Sequence, residues 1–352
     1  MSVSRRDCYV LMMTAGLLAG CAAREGPIET RIANALPAVT VQAKGETDAV
    51  ATANADAADD PAIWRNAANP AASLIVGTDK KAGLHVYDLT GRDRHFVDAG
   101  AVNNVDLIEE GDGVLVVASD RNDLANAKLA LFSLDTATAR LTPLGTVAAG
   151  AGEAYGVCLG QIEGVTYAFI VVKDGTIRQI ALDMSGAAPT GRVVRTMKLA
   201  TQSEGCVVDP RINRLYVAEE DAGLYRFDAR ATGPVEPVKI AAADGKAIVA
   251  DAEGVAIAPE GADGGYVVVS SQGDNAYTVY RIDNDAYVGR FRIATGKVGA
   301  TEETDGIELI LGDFGPEYPQ GLFVAQDGMN APRAQNFKLV SWADVKAALK
   351  LD

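Results

Sequence analysis

The stretch EGCVVDPRINRLYVAEEDAGLYRFDARATGPVEPVKIA (residues 204–241) decides the fold, because an earlier stretch has the same pattern. That earlier stretch is DPAIWRNAANPAASLIVGTDKKAGLHVYDLTGRDRHFVDAG (residues 60–100). Each begins with an acidic residue and continues through an apolar strand, a turn and a second strand. A charged tip, the motif GLxx[YF]D, another turn and a further strand follow. An internal repeat of this length indicates a repetitive architecture.

The acidic residue that opens the repeat recurs along the whole chain. The leading acids are Asp60, Asp106, Glu153, Glu204, Glu253 and Asp305, which are separated by 46, 47, 51, 49 and 52 residues. Short alternating strands at this period are typical of propeller blades of about four strands. The sequence therefore predicts an all-β fold, a six-bladed β-propeller of four-stranded antiparallel blades over residues 46–352. Two smaller β domains are the alternative, but the repeat crosses every midpoint without a linker.

Propeller geometry predicts which residues meet. The first strand of a blade is innermost and starts at one mouth of the central channel, and the antiparallel second strand ends at the same mouth. The expected strand-start residues are Asp59, Asp60, Asn104, Asp106, Glu153, Tyr155, Glu204, Asp251, Glu253 and Asp305. The expected strand-end residues are Asp79, Lys80, Asp120, Arg121, Lys173, Asp174, Glu219, Glu220, Gln272, Gln326 and Asp327. One half of this mouth is then cationic, with Lys80, Arg121 and Lys173, and the rest is acidic.

The segment DAADDPAIW (residues 56–64) by itself fits either a solvated, turn-forming Asp cluster or a cation site. Because acids recur at the blade period and adjacent unpaired carboxylates repel, the repeat favours the cation site. Hard oxygen ligands without converging histidines favour Ca²⁺ ahead of Mg²⁺ or Mn²⁺. Several calcium ions beside a basic half suit a polyanionic substrate, and phosphate esters fit best. The formal net charge of −15 argues against nucleic acid as a partner.

Other phosphatase chemistries lack their residues in this sequence. The chain has two histidines, His85 and His95, so a catalytic-histidine enzyme or a histidine-rich bimetal site is not expected. The segment CVVDPR (residues 206–211) lacks the spacing and the Gly-rich cradle of a cysteine phosphatase. No P-loop sequence occurs.

The N-terminus reads as a targeting segment. Arg5 and Arg6 precede CYVLMMTAGLLAG (residues 8–20), an apolar run too short to span a bilayer comfortably. The run ends in Leu-Ala-Gly before Cys21, which resembles the lipobox of bacterial lipoproteins; an ordinary secretory signal is the alternative, and the Arg pair weakly resembles a twin-arginine signal. We expect a signal peptide over residues 1–20, a tether over 21–45 and an extracytoplasmic protein, lipid-anchored through Cys21 to a bacterial envelope membrane or secreted.

Two further cysteines, Cys158 and Cys206, remain in the mature chain. In an oxidising compartment they could form a disulfide, and two buried free thiols are the alternative.

A family resemblance covers nearly everything after the expected tether. It is carried, in order, by DDPAIW, GTDKKAGLHVYDL, NNVD, EAYGVCL, SEGCVVDP, LYVAEEDAGLYRFDA, DAEGVAI, SSQGDNAYTVY, DFGPEYPQGLFVAQDG and QNFKLVSW. In these segments the chain resembles the β-propeller phytase family. The resemblance implies a monomeric, calcium-dependent, six-bladed phosphoric monoester hydrolase of the 3-phytase type. Such an enzyme converts phytate, inositol hexakisphosphate, to lower inositol phosphates and phosphate.

The resemblance also implies site residues, position by position. Those implied as calcium ligands are Glu46, Asp60, Glu204, Glu253 and Asp305, with Asp59, Glu220 and Asp251 as further ligands or supporting acids. Those implied to contact phosphate are Lys80, Arg121, Tyr155 and Lys173, with Asn103 and Asn104 in the same mouth. The implied catalytic set is Lys80, Arg121, Tyr155, Lys173 and Glu204. Bound calcium would supply the nucleophilic water, while a second phosphate of the same substrate sits in the basic half.

The sequence departs from the family pattern at TGKVGATEETDG (residues 295–306). Gly299 occupies about the place of a calcium-binding Asp, and Glu302 and Glu303 lie close to it in sequence. We therefore expect one calcium to bind weakly unless one of these glutamates replaces the ligand. Two other functions remain as alternatives: a calcium-dependent lactonase-like propeller and a non-catalytic lipid-anchored scaffold.

Overall fold

The computed structural model describes residues 26–53 and 55–351. The elements that precede the first blade are α1 (Ile28–Asn34), β1 (Val39–Gln42) and β2 (Gly45–Glu46). The strands of blades one to three are β3 (Ala58–Trp64), β4 (Leu74–Asp79), β5 (Gly83–Asp88), β6 (Asp93–Asp98), β7 (Val102–Glu110), β8 (Gly113–Asp120), β9 (Asn126–Asp135), β10 (Arg140–Ala151), β11 (Ala154–Ile162), β12 (Val165–Val172), β13 (Thr176–Asp183) and β14 (Thr190–Lys198).

The remaining elements complete blades four to six. The strands are β15 (Ser203–Asp209), β16 (Arg214–Glu219), β17 (Gly223–Asp228), β18 (Val238–Ala242), β19 (Ala252–Glu260), β20 (Gly264–Ser271), β21 (Ala276–Arg281), β22 (Tyr287–Ala294), β23 (Ile307–Leu311), β24 (Gly321–Asp327) and β25 (Asn336–Ser341). Short 3₁₀ helices span Pro70–Ala72 and Gln272–Asp274, and the C-terminal helix is α2 (Trp342–Leu349).

Six antiparallel sheets form one six-bladed propeller, as the repeat predicts. In each of the first five blades the chain runs from the inner strand outward, and the six inner strands β3, β7, β11, β15, β19 and β23 pack side by side around the channel. The last blade has the order β23-β24-β25-β2, so its outermost strand comes from the N-terminal end. Antiparallel pairing of Gly45 with Leu339 and of Glu46 with Lys338 thereby closes the ring.

The segment expected to be a tether contributes to the propeller instead. Strand β1 pairs in parallel with β22, with Val39 opposite Phe291, and adds a fifth strand to blade five. The reason is apolar patterning, because Val41 is buried against the blade while its neighbours Thr40 and Gln42 are exposed. Residues 39–42 and Gly45, at the end of the expected tether, therefore belong to sheets of the propeller.

Glycines that follow the leading acids let the inner strands approach closely. At Gly254 an added Cβ would lie 2.7 Å from the Asp305 carbonyl oxygen, and at Gly306 it would lie 2.5 Å from the Asp59 carbonyl oxygen. The amide nitrogens of these glycines donate to the same two carbonyls, at 2.8 and 2.9 Å. Only a residue without a side chain permits this contact, so the acid–glycine pair holds successive acids next to one another around the mouth.

The core lies between neighbouring blades, where the inner and middle strands are almost entirely buried. Where blade five meets blade six, Tyr277 stacks on Phe291 and both rings make edge-to-face contacts with Phe323, with ring centroids 5.0 to 5.5 Å apart. A disulfide between Cys158 and Cys206 links the inner strands of blades three and four, with an S–S distance of 2.08 Å. Of the two alternatives left open for these cysteines, the structure has the disulfide.

The expected signal peptide (residues 1–20) and Cys21 lie outside the described residues. Within residues 26–53 and 55–351, no helix combines the length and apolarity needed to span a membrane.

Candidate functional site

Three carboxylates converge at the mouth of the channel. Glu204 lies in β15, Glu253 lies in β19 and Glu220 directly follows β16. One carboxylate oxygen from each lies within 4.8 Å of the others. Glu253 Oε2 is buried and has no hydrogen-bond partner in the described part of the chain. A buried orphan oxygen beside two further carboxylates is the donor set of a hard cation, and Ca²⁺ fits it.

Burial and mutual repulsion perturb these groups strongly. Burial, followed by the charge of Asp59, raises the pKa of Glu204 well above its usual range. Burial, followed by the charge of Glu204, does the same to the pKa of Glu253. The pKa of Glu220 rises to about 7, because burial and nearby Asp251 outweigh the hydrogen bond from Gln202. A bound cation would displace these protons and stabilise the ionised forms.

Lys80, which follows β4, neutralises the adjoining part of the acidic cluster. Its Nζ lies 2.8 Å from Asp59 Oδ1, 3.0 Å from Asp305 Oδ2 and 3.0 Å from Asp56 Oδ2. Burial opposes its charge, but these carboxylates raise the pKa of Lys80 above its ordinary value. Lys80 is therefore held by the acids of blades one and six before any substrate arrives.

At Asp305, burial and the charge of Lys80 act on the pKa in opposite directions. Burial raises its pKa to about 8, although the charge of Lys80 works in the opposite direction. Gln272 Nε2 donates to Asp305 Oδ1 at 2.6 Å. The backbone N–H of Gln272 donates to the Asp251 carbonyl at 3.0 Å, which ties the predicted residues Asp251 and Asp305 to one short 3₁₀ helix.

Asn103 and Asn104, in β7, connect the acidic and basic halves. Asn103 Nδ2 donates to Glu204 Oε1 at 2.6 Å and to Asp59 Oδ2 at 2.9 Å. Its side-chain amide also contacts that of Asn104 at 2.9 Å and accepts a hydrogen bond from Arg121. Asn103 thus orients two acids and one guanidinium at once.

The basic half is built around Tyr155 in β11. The Arg121 guanidinium carbon lies 5.3 Å from the Tyr155 ring centroid, and the Lys173 ammonium lies 4.9 Å from it. Glu153 pairs with Arg121 and lies 3.8 Å from Lys173. Burial and the charge of Glu204 raise the pKa of Tyr155, so its phenol stays protonated. The two cations therefore share one aromatic platform beside the carboxylates.

Asp60 lines a narrow cavity to which none of the other predicted metal ligands contributes. Its side chain accepts from the Val105 amide at 3.1 Å and lines this cavity with Asp106 and Glu308. Asp59 and Asp60 lie where the register between β3 and β4 shifts, and Asp59 instead contacts Lys80 and Asn103. Burial raises the pKa of Asp106 to about 7 and that of Glu308 to about 8, and it raises the pKa of Asp60 well above normal. The sequence reading missed Glu308, whose signal is a lone acid in the apolar strand IELIL.

Glu46 is not brought together with the mouth acids. It lies in β2, the outermost strand of blade six, where it pairs with Lys338 at 2.8 Å and Arg333 at 2.6 Å. Burial by itself would raise its pKa, but the hydrogen bonds from Lys338, Arg333 and Asn336 lower it to about 2. The fully buried Lys338 is the counter-ion of Glu46, and a role of Glu46 as a calcium ligand stays a prediction.

The segment that departs from the family pattern, residues 295–306, lies beside Lys338. A Cβ added at Gly299 would lie 3.6 Å from Lys338 Cε and 3.7 Å from its Nζ. Glu302 and Glu303 instead line a cavity that also contains Asp305. Gly299 is therefore placed at Lys338, away from the converging carboxylates.

Known proteins resemble this chain in both sequence and fold. A family model described as Phytase matches residues 8–352. A curated 3-phytase from Bacillus subtilis strain 168 is 38% identical over 324 residues, which cover 87% of this chain and 84% of the relative. A chain from the crystal structure of a mitotic checkpoint complex has a TM-score of 0.51 at 13% identity, covering 87% of this chain and 80% of that one. This last likeness concerns the fold alone.

Proposed function

Because this chain belongs to the phytase family and is a phytate-hydrolysing enzyme, we propose that calcium ions held at the channel mouth drive the hydrolysis. The observation that carries the proposal is the approach of Glu204, Glu220 and Glu253 to within 4.8 Å, with Glu253 Oε2 buried and unpartnered among the described residues. Three converging hard oxygens with raised pKa values need a divalent cation to become ionised together.

Each residue of the acidic half has a definite task. Glu204, Glu220 and Glu253 hold the metal, and Asn103 keeps Glu204 in position through its 2.6 Å hydrogen bond. When bound, calcium polarises a phosphoryl oxygen and lowers the pKa of a coordinated water. Lys80 lies 2.8 Å from Asp59 and 3.0 Å from Asp305 beside this centre, so it positions two carboxylates that can serve as further oxygen ligands.

The basic half binds the substrate. Arg121 presents a planar guanidinium suited to bidentate contact with phosphate, and Lys173 adds a point charge on the same Tyr155 platform. Glu153, the present partner of both cations, orients them toward the mouth. A substrate phosphate therefore meets cations on one side and metal-binding carboxylates on the other.

The experiment is an assay of phosphate release from phytate, in calcium and in excess chelator. We expect Glu253→Gln to reduce kcat by at least 100-fold at low calcium, since the change removes a charged ligand. The matched control is Glu236→Gln, an exposed glutamate of blade four, which should behave as the unmodified chain. Full activity in chelator, or equal activity of the two variants, would refute the calcium mechanism.

The location of the protein belongs to the same proposal. We place the enzyme outside the cytoplasm as a monomer, held at a bacterial envelope membrane by lipid on Cys21. The disulfide between Cys158 and Cys206 supports this, because structural disulfides persist in oxidising compartments. A Cys21→Ala chain should move from the membrane fraction to the soluble fraction while keeping its activity. Retention of that variant in the membrane fraction would contradict the lipid anchor.

A further inference from the structure

A cavity of about 1250 Å³ opens directly beside the channel mouth. Asp305, Asp251 and Gln272 belong both to its wall and to the mouth. The opposite wall comes from the loop before β25, which includes Arg333, and from the N-terminal helix α1, which includes Arg31. The cavity is therefore continuous with the proposed reaction centre and much larger than one phosphate group.

Arg31 contributes its side chain to the lining of this cavity. Its Nε is buried and makes no hydrogen bond, and its side chain forms no ion pair with any residue that the structure describes. The other cations near the mouth are compensated: Lys80 by Asp59, Arg121 by Glu153 and Arg333 by Glu46. A partly buried guanidinium that lacks a partner favours an anionic ligand, because a buried unsatisfied donor is costly.

Helix α1 holds Arg31 in a defined position. The Leu36 amide donates to the Lys246 carbonyl at 3.0 Å, and Lys246 Nζ donates to the Asn34 carbonyl at 2.8 Å. The buried Arg290 donates to the Leu36 carbonyl at 2.8 Å. The helix also packs on the 3₁₀ helix Gln272–Asp274, whose first residue is bonded to Asp305. The backbone of the helix that carries Arg31 is thus held next to the mouth.

We propose that Arg31 binds a non-reacting phosphate group of an inositol polyphosphate while another phosphate of the same molecule occupies the mouth. The proposal rests on the proposed function and adds a point of attachment beyond the basic half that holds Arg121 and Lys173. Phosphate is the ligand chemistry because a guanidinium matches its geometry. The carboxylates of Asp251, Glu302 and Glu303 also face the cavity, so phosphate groups should gather on the α1 side. Arg31 then distinguishes polyphosphorylated substrates from simple monoesters.

The test compares Arg31→Met, which keeps the apolar stem but removes the charge, with Arg31→Lys. The matched control is Arg94→Met, which changes an exposed arginine of blade one that pairs with Asp88. KM and kcat are measured in saturating calcium for phytate and for p-nitrophenyl phosphate, and thermal melting confirms that the variants fold. Arg31→Met should raise KM for phytate by roughly 10-fold, with kcat within about twofold, from the loss of one charge-assisted contact.

The pattern across substrates decides the outcome. KM for p-nitrophenyl phosphate should stay unchanged, and Arg31→Lys should recover part of the phytate affinity. An unchanged phytate KM in Arg31→Met, an equal rise for both substrates, or the same rise in Arg94→Met would overturn the proposal.

A binding measurement separates this proposal from the proposed function. Calorimetry with inositol hexasulfate reports on anion binding whether or not the chain turns over phytate with calcium. Arg31→Met should weaken this binding roughly 10-fold relative to the unmodified chain. If phosphate release proves independent of calcium while Arg31→Met still binds inositol hexasulfate more weakly, only the calcium mechanism is refuted. If the unmodified chain and Arg31→Met bind inositol hexasulfate equally well, only the role of Arg31 is refuted.

Discussion

Replacing Glu220 with Gln should change stability in opposite directions with and without calcium. The substitution keeps the shape of the side chain and an oxygen that can accept from Gln202 Nε2, which now lies 2.7 Å from Glu220 Oε1. It removes a carboxyl whose pKa burial raises to about 7. In the unmodified chain without calcium, Glu220 therefore binds a proton more readily in the folded state than in the unfolded state.

The sign and size follow from proton linkage. Below pH 4.5, the ordinary value, the carboxyl is protonated in both states and contributes no difference. As the pH rises from there to 7, the unfolded state ionises first, so the free energy of unfolding falls. A pKa of 7 against 4.5 corresponds to a loss of about 3 kcal/mol, complete above pH 7. Glu220→Gln should remove this loss.

The assay is urea unfolding in chelator at pH 4.5, 6, 7 and 8, with Glu236→Gln as the control. Glu220→Gln should be about 3 kcal/mol more stable than the unmodified chain at pH 8, with the difference vanishing near pH 4.5. In excess calcium the order should reverse, because the variant has lost a charged ligand. A difference independent of pH, or a variant that is more stable in calcium as well, would refute the placement of Glu220 in the cation site.

Three further outcomes follow from the same structure. Changing Arg121 to Ala should raise KM for phytate more than KM for a monoester. The difference should correspond to roughly 1.5–3 kcal/mol, and equal changes in the two steady-state KM values would contradict the anchoring role of Arg121. Reducing the disulfide between Cys158 and Cys206, which are 48 residues apart, should lower the free energy of unfolding by about 4 kcal/mol, and identical urea midpoints for oxidised and reduced chains would contradict this. In Gly299→Asp the new carboxylate should pair with Lys338, so the calcium activation curve of phosphate release should not move. A shift of that curve to lower calcium would show instead that position 299 is the calcium-ligand position expected from the sequence.

The blade architecture could be predicted from the sequence because it depends on local periodicity. The leading acids are 46 to 52 residues apart, and each opens a set of short alternating strands. This pattern leaves few alternatives to a ring of equivalent units. Such a ring brings strand starts and adjacent strand ends to one mouth whatever the packing details. That is why Glu204, Glu220 and Glu253 could be grouped in advance, and why Lys80, Arg121 and Lys173 could be placed near them.

Tertiary structure alone decided what each side chain at the mouth faces. Asp59 and Asp60 are neighbours in sequence, yet at an irregularity of β3 one contacts Lys80 and the other lines a narrow cavity with Glu308. Glu46 was grouped with the metal ligands, but ring closure puts it on an outermost strand opposite Lys338.

The N-terminal segment is another part of the chain whose structural role could not be predicted from sequence. Its composition resembled a tether, yet β1 joins blade five and α1 presents Arg31 to the cavity beside the mouth. The sequence by itself determined the number of blades and the mouth, because these follow from a repeat that each unit carries locally. It grouped Lys80 with Arg121 and Lys173, whereas the folded chain pairs Lys80 with Asp56, Asp59 and Asp305. The pairing of charges and the docking of the N-terminus depend on contacts between residues up to about 290 positions apart, such as Lys338 with Glu46. No local pattern encodes such contacts, so only the folded chain decides them.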